Sequence, residues 1–137
     1  MKLAAGALAV LLFAGPATAA PHCTPYHQPV VLTGTVDRMM FYGPPNFGED
    51  PRHDQRAYYP VFRPDRAPHM CRVALDFNIP PGADIPRRMQ MIFYPIDPRR
   101  WYGRHVTVTA KLWPWETASH HTPIMLDVVE IRRADGG

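Results

Sequence analysis

From residue 30 onward, apolar and polar positions alternate in short runs, the mark of strands with one face in a core. Residues 30–36 put Val30, Leu32 and Val36 on one face, with Gly34 in the same row. A glycine there marks a bulge or a close backbone approach. Residues 72–77 alternate cleanly, with Val73, Leu75 and Phe77 inward. The clearest strand covers residues 105–113: Val106, Val108, Ala110 and Leu112 face one way, His105, Thr107, Thr109 and Lys111 the other. In residues 124–131, Leu126 and Val128 share one phase, then Val129 and Ile131 take the opposite one. That change predicts a bulge or burial on both faces. Shorter strands are expected over residues 57–62 and 89–94.

Proline punctuates the same region. All but Pro16 of the 17 prolines follow the first twenty residues, which leaves no room for long helices. One helical turn is predicted, from Asp97 through Pro98 to Gly103: Asp97 suits the cap, Pro98 the first helical position and Gly103 the exit. Five or six short strands in one domain predict an all-β fold, a small Greek-key or OB-like barrel with at most one short helical turn. The domain is expected over residues 20–133, with a frayed tail at residues 134–137.

The first residues do not fit this pattern. Lys2 precedes an unbroken apolar run over residues 3–14, Gly15-Pro16 breaks it, and Ala17-Thr18-Ala19 is the small-x-small motif of signal peptidase. The run is shorter than the ~18–20 residues that span a bilayer. Residues 1–19 therefore read as a cleaved signal peptide. Cleavage after Ala20 would place Pro21 just past the scissile bond, so the cut is expected at Ala19–Ala20. Ala20-Pro21-His22 before Cys23 lacks the lipidation pattern, so the mature protein is expected to be periplasmic or secreted, without a membrane anchor.

Export changes how charge and cysteine are read. The formal charge is +3 for the whole chain, and Lys2 leaves with the leader. The remainder is too weakly basic to imply nucleic acid or an anionic membrane. The two cysteines, Cys23 and Cys71, are not C-x-x-C, and in an oxidising compartment they are expected to form one structural disulfide. That bond would tie the N-terminus onto the barrel.

Several stretches in order carry a resemblance. They are Cys23-x-x-Tyr26-x-x-Pro29, Val31-Leu32-Thr33-Gly34-Thr35-Val36, Phe41-Tyr42-Gly43-Pro44-Pro45-Asn46-Phe47-Gly48, Tyr58-Tyr59, Cys71, Tyr102-Gly103-Arg104-His105-Val106-Thr107-Val108 and His120-His121-Thr122-Pro123-Ile124-Met125-Leu126. Together they resemble an exported bacterial domain-of-unknown-function family, number 4431. The resemblance implies export, two cysteines in matching places, a compact β domain and no established activity. The family pattern places histidines where this chain has Pro114, Glu116 and Ser119, so of that loop only His120 and His121 remain, with Glu116 beside them.

Candidate chemistry follows. His120, His121 and Glu116 are the candidate metal ligands, but adjacent histidines in an extended segment point to opposite faces, and no known ligand spacing is present. No metal or other cofactor is expected. Ser119 lies beside His120 without the turn that exposes a nucleophile, and Glu49, Glu116 and Glu130 are scattered, so no enzyme is predicted. Trp101 and Tyr59 are expected to plug the barrel ends. The aromatics Tyr42, Phe47, Tyr58, Trp113 and Trp115, with His120 and His121, form the expected binding surface, with Arg56, Arg99 and Arg100 as neighbouring cations, and the loops at residues 43–48 and 113–119 are where function is expected. The expected function is a non-catalytic binding or accessory module for a protein, peptide or glycan of the cell envelope. The alternatives are a periplasmic metal-binding protein using the His120-His121 loop, or an envelope protein of lysozyme-inhibitor type.

Overall fold

A computed structural model describes residues 22–71, 83 and 85–135. The leader, the strand expected over residues 72–77 and the last two residues lie outside the described residues. Five strands follow one another: β1 (Pro29–Tyr42), β2 (Arg56–Pro64), β3 (Met89–Ile92), β4 (His105–Pro114) and β5 (Ile124–Arg133). They close into a barrel in the order β1-β2-β3-β5-β4, antiparallel at every seam except the parallel β3–β5 pair. This is the OB-like, all-β barrel that the alternation predicts.

Closure depends on β1, which serves two neighbours. Residues 29–35 pair with β4 and residues 34–42 with β2, so the strand changes partner around Gly34. Gly34 is opposite both Pro64 and Val106, with no register shift in either ladder, so it marks a close approach and not a bulge. A Cβ there would lie 2.7 Å from Pro64 Cα and 2.8 Å from Phe62 Cζ, and closer still to the Arg63 carbonyl oxygen.

The inward row of β4 behaves as its pattern requires: Val106, Val108, Ala110 and Leu112 are fully buried. Leu112 opposes Leu126 and Ala110 opposes Val128, after which Thr109 pairs with Glu130. Val129 is thus an extra residue on β5, and it is exposed. This bulge returns Ile131 to the core side opposite Val108. The change of phase in the sequence is therefore a real bulge.

Between β3 and β4 the chain makes a single 3-10 turn, Pro98–Trp101. The Asp97 carboxylate accepts the Arg99 backbone N–H at 3.0 Å, and Gly103 leaves the turn at φ +71. The turn places Trp101 in the core beside the inward strand residues, with the Arg100 guanidinium 5.0 Å over its ring.

The N-terminal segment is fastened at three points. Thr24 donates its N–H to the His69 carbonyl at 2.6 Å and accepts the Cys71 N–H at 2.9 Å, while Cys23 and Cys71 form the expected disulfide. Farther on, His27 N–H donates to the Leu112 carbonyl at 2.8 Å. At the other terminus, Ala134 N–H donates to the His105 carbonyl at 3.2 Å. Among the described residues, no helix is long and apolar enough to cross a membrane.

Candidate binding surface

Past the barrel, β1 and β2 continue as a hairpin whose two faces have different fates. The row that begins inward with Val36 and Phe62 continues as Arg38, Met40 and Tyr58. Without a barrel to enclose it, this row reaches solvent: Tyr58 is 51% exposed and Met40 36%. The Arg38 guanidinium lies 4.0 Å from the centre of the Tyr58 ring, a cation–π contact on an open surface. Arg38, which drew no attention in the sequence, is therefore the cation beside the exposed aromatics. Arg99 instead pairs with Asp97, and Arg100 covers Trp101.

The loop joining β1 to β2 is organised from within by Asp54. This residue is nearly buried, and its carboxylate accepts the backbone N–H groups of Asn46 and Gly48, each at 2.7 Å. Burial disfavours the charge, but these N–H donors outweigh it and hold the carboxyl below its ordinary value. Between the two donors sits Phe47, at φ +52 in the left-handed region that a bulky residue rarely occupies. Its side chain stands 46% exposed. Tyr42, expected on the surface, is half-buried, its ring 3.7 Å from where a Gly48 Cβ would stand. It belongs to the loop's footing.

The other hairpin row, Met39 and Phe41 with Tyr59 and Val61, runs on across the barrel's outside through Gln90 and Met125 to Trp113. This outer face is apolar because the β4–β5 loop covers it. His121 stacks on Phe41 with ring centres 4.6 Å apart and planes 9° from parallel, and it also meets Tyr59 at 5.0 Å. His120 turns the other way, edge-on to Trp113 at 5.5 Å. Its Nδ1 accepts the Glu116 N–H at 3.0 Å, so the proton of the neutral ring is on Nε2.

Gln90 fastens this loop. Its side-chain carbonyl accepts the His121 N–H at 2.7 Å, its amide donates to the Ser119 carbonyl at 3.1 Å, and its backbone N–H donates to the Thr122 hydroxyl at 2.8 Å. That hydroxyl donates in turn to the Ile124 carbonyl at 2.8 Å. Gln90 and Thr122 are buried, so the network is shielded from water. The sequence offered one signal for Gln90, a single polar residue inside Met-Gln-Met-Ile.

The segment with this clamp carries the likeness to known proteins. Residues 89–132 match the family model of the domain of unknown function DUF4431. The match bears out the resemblance read from the sequence, and it runs from the first residue of β3 almost to the end of β5. Within the matched segment lie Gln90, Trp101, the β4–β5 loop and Thr122; the Asp54 loop and both cysteines lie before it. Comparison with curated proteins and with solved structures gives no match.

The expected surface residues thus divide. Tyr58, Phe47 and Trp115 reach solvent, Trp115 at 44% exposure. Trp113, His120 and His121 are half-buried in the loop's own packing, as is Tyr59, while Trp101 is buried. Among the described residues, no three His, Cys, Asp or Glu side chains are grouped so as to hold a metal ion.

Proposed function

We propose that this is an exported, non-catalytic binding module whose contact surface is the open hairpin face of Arg38, Met40 and Tyr58, with Phe47 at the adjoining loop. The carrying observation is Phe47: a bulky side chain held at φ +52 and turned outward by a buried carboxylate clamp. Such a conformation costs on the order of 1–3 kcal/mol and persists only where surrounding contacts enforce it. Rigid aromatic side chains with a cation beside them suit a protein, peptide or glycan of the cell envelope. A disulfide that ties residue 23 to residue 71, and the leader pattern before it, support export.

Two features weigh against the other readings. In OB-like barrels, the face of strands 2 and 3 between the β1–β2 and β4–β5 loops is where single strands bind. Here that face lies under the chain's own loop, with His121 stacked where a base would be received. For the metal reading, His120 and His121 diverge, and the Nδ1 of His120 is already occupied by the Glu116 N–H.

The test is capture and cross-linking from envelope extract with the mature protein and with the double variant Tyr58→Ala/Phe47→Ala. The expected result is a partner lost with the variant while Tm stays within about 3 °C, since both side chains are exposed. Undiminished capture by the variant would remove this surface from consideration. Mass measurement of the exported protein should show a chain starting at Ala20, and an intact leader would remove the export assignment.

A further inference from the structure

A second surface shares no residue with the hairpin face and lies along β5. β5 pairs with β4 along its whole length, but with β3 only as far as Asp127. From Val128 to Arg133 its opposite edge has no strand partner among the described residues. A groove runs there, and all five consecutive residues 129–133 line it. Alternate residues of a strand point to opposite faces, so a groove touching every one of them runs along the backbone edge. Its other wall is the 3-10 turn, with Ile96, Arg100 and Trp101.

We propose that this open edge of β5 is a docking site for an extended acidic peptide segment, which adds to the sheet as a further strand. Main-chain N–H and C=O groups of an edge are unspent hydrogen-bonding capacity, and strand addition uses them. Five residues span about 17 Å at ~3.4 Å per residue, room for a strand of ordinary recognition length. The apolar floor of Trp101 and Ile131 would take alternate side chains of the peptide.

Charge selects the occupant. Arg100, Arg132 and Arg133 line the groove against one acid, Glu130. None of the three arginines is held in an ion pair among the described residues. A second copy of the chain is served less well, because it would face two grooves that each carry three arginines against one acid. An acidic strand meets the reverse situation, with guanidinium N–H groups able to donate to its carboxylates. The site is independent of the hairpin face, and its variants leave that face untouched.

The experiment uses the mature protein and a fluorescein-labelled nine-residue peptide alternating valine with glutamate, followed by anisotropy. Controls replace glutamate by lysine, or place proline at alternate positions to remove the pairing N–H groups. The glutamate peptide is expected to bind and the controls not, with affinity falling as salt is added. Arg100→Glu/Arg133→Glu should weaken binding by roughly tenfold or more with an unchanged circular dichroism spectrum. Outward amides of residues 130–133 should gain exchange protection only in the complex. The proposal is overturned by no binding up to about 1 mM peptide, by equal binding of the lysine peptide, or by protection mapping elsewhere. It is also overturned if these amides are already protected in the free monomer, or if sedimentation shows a dimer that protects them.

Discussion

A methyl group at Gly34 has nowhere to go. The atoms in its way are the Arg63 carbonyl oxygen and Pro64 Cα, which are backbone, and the tip of buried Phe62. None of these is the loose end of a flexible side chain. Gly34→Ala should therefore sit at or above the top of the roughly 1–3 kcal/mol range for overpacking, lowering Tm by about 10 °C in a thermal melt. A second single-residue effect belongs to Asp54. Because its carboxyl is held below the ordinary value, the loop's stabilisation is complete above the unfolded carboxylate range and is lost as pH falls through the folded value. Asp54→Asn offers one acceptor oxygen in place of two, so one of the Asn46 and Gly48 N–H groups must go without. Exchange of those two amides should quicken by about tenfold or more, with the barrel amides unchanged. If both stay protected, the carboxylate clamp is not what shapes the loop.

At the scale of elements, the β4–β5 loop is fixed by contacts that no local pattern reveals. Gln90 reaches Ser119 and His121 across separations of 29 and 31 residues. Gln90→Leu fills the space but leaves the His121 N–H and the Ser119 carbonyl unpaired, at about 1–3 kcal/mol for each group that stays buried. The cheaper response is for the loop to lift away. Hydrogen exchange should then show the His121 and Trp115 amides losing protection well before the β4 amides do. The strands themselves were legible. The rows Val106 to Leu112 and Val30 to Val36, the Asp97–Pro98–Gly103 turn and the phase change at Val129 follow from side-chain period and backbone chemistry, both local properties. The covered outer face was not, because Phe41 and Tyr59 look like any outward positions until His121 from another loop packs on them. Met125 on the same face is fully buried, with the Thr122 hydroxyl against its sulfur. The same limit hid Asp54, whose role depends on positive φ at Phe47, and Arg38, whose ring partner is on the next strand.

Across the whole molecule, covalent and ionic ties act on different parts of the fold. The disulfide bridges residues 48 apart, so by loop-closure entropy its removal in Cys23→Ser/Cys71→Ser should cost about 4 kcal/mol, read as a lower urea midpoint. Two histidines add a pH response of opposite sign at opposite ends. His105 Nε2 lies 2.8 Å from the Asp65 carboxylate, and Asp65 is itself tied by its N–H to the Thr33 carbonyl at 2.9 Å. That hydrogen bond, with the charges of Asp65 and Asp135, raises His105 above its ordinary 6.5 despite some loss of hydration. Its contribution is therefore complete below about pH 6.5 and is lost as pH rises through the folded value. His121 is the reverse: burial against Phe41 and Tyr59, then the neighbouring His120, lower it. Its contribution is complete above about pH 6.5 and is lost as pH falls through the folded value. Acidification from about pH 8 to pH 5 should thus tighten the seam where β1, β4 and the C-terminus meet while loosening the β4–β5 loop. Exchange rates corrected for intrinsic chemistry should show the Ala134 amide, which donates to the His105 carbonyl, gaining protection while the His121 amide loses it. His121→Phe keeps a ring on Phe41 but cannot titrate, so it should abolish the loop's response and leave the Ala134 response intact. His105→Asn should do the converse. Both amides moving together in the wild type, or both responses surviving both substitutions, would show that neither histidine sets the pH response of its end of the barrel.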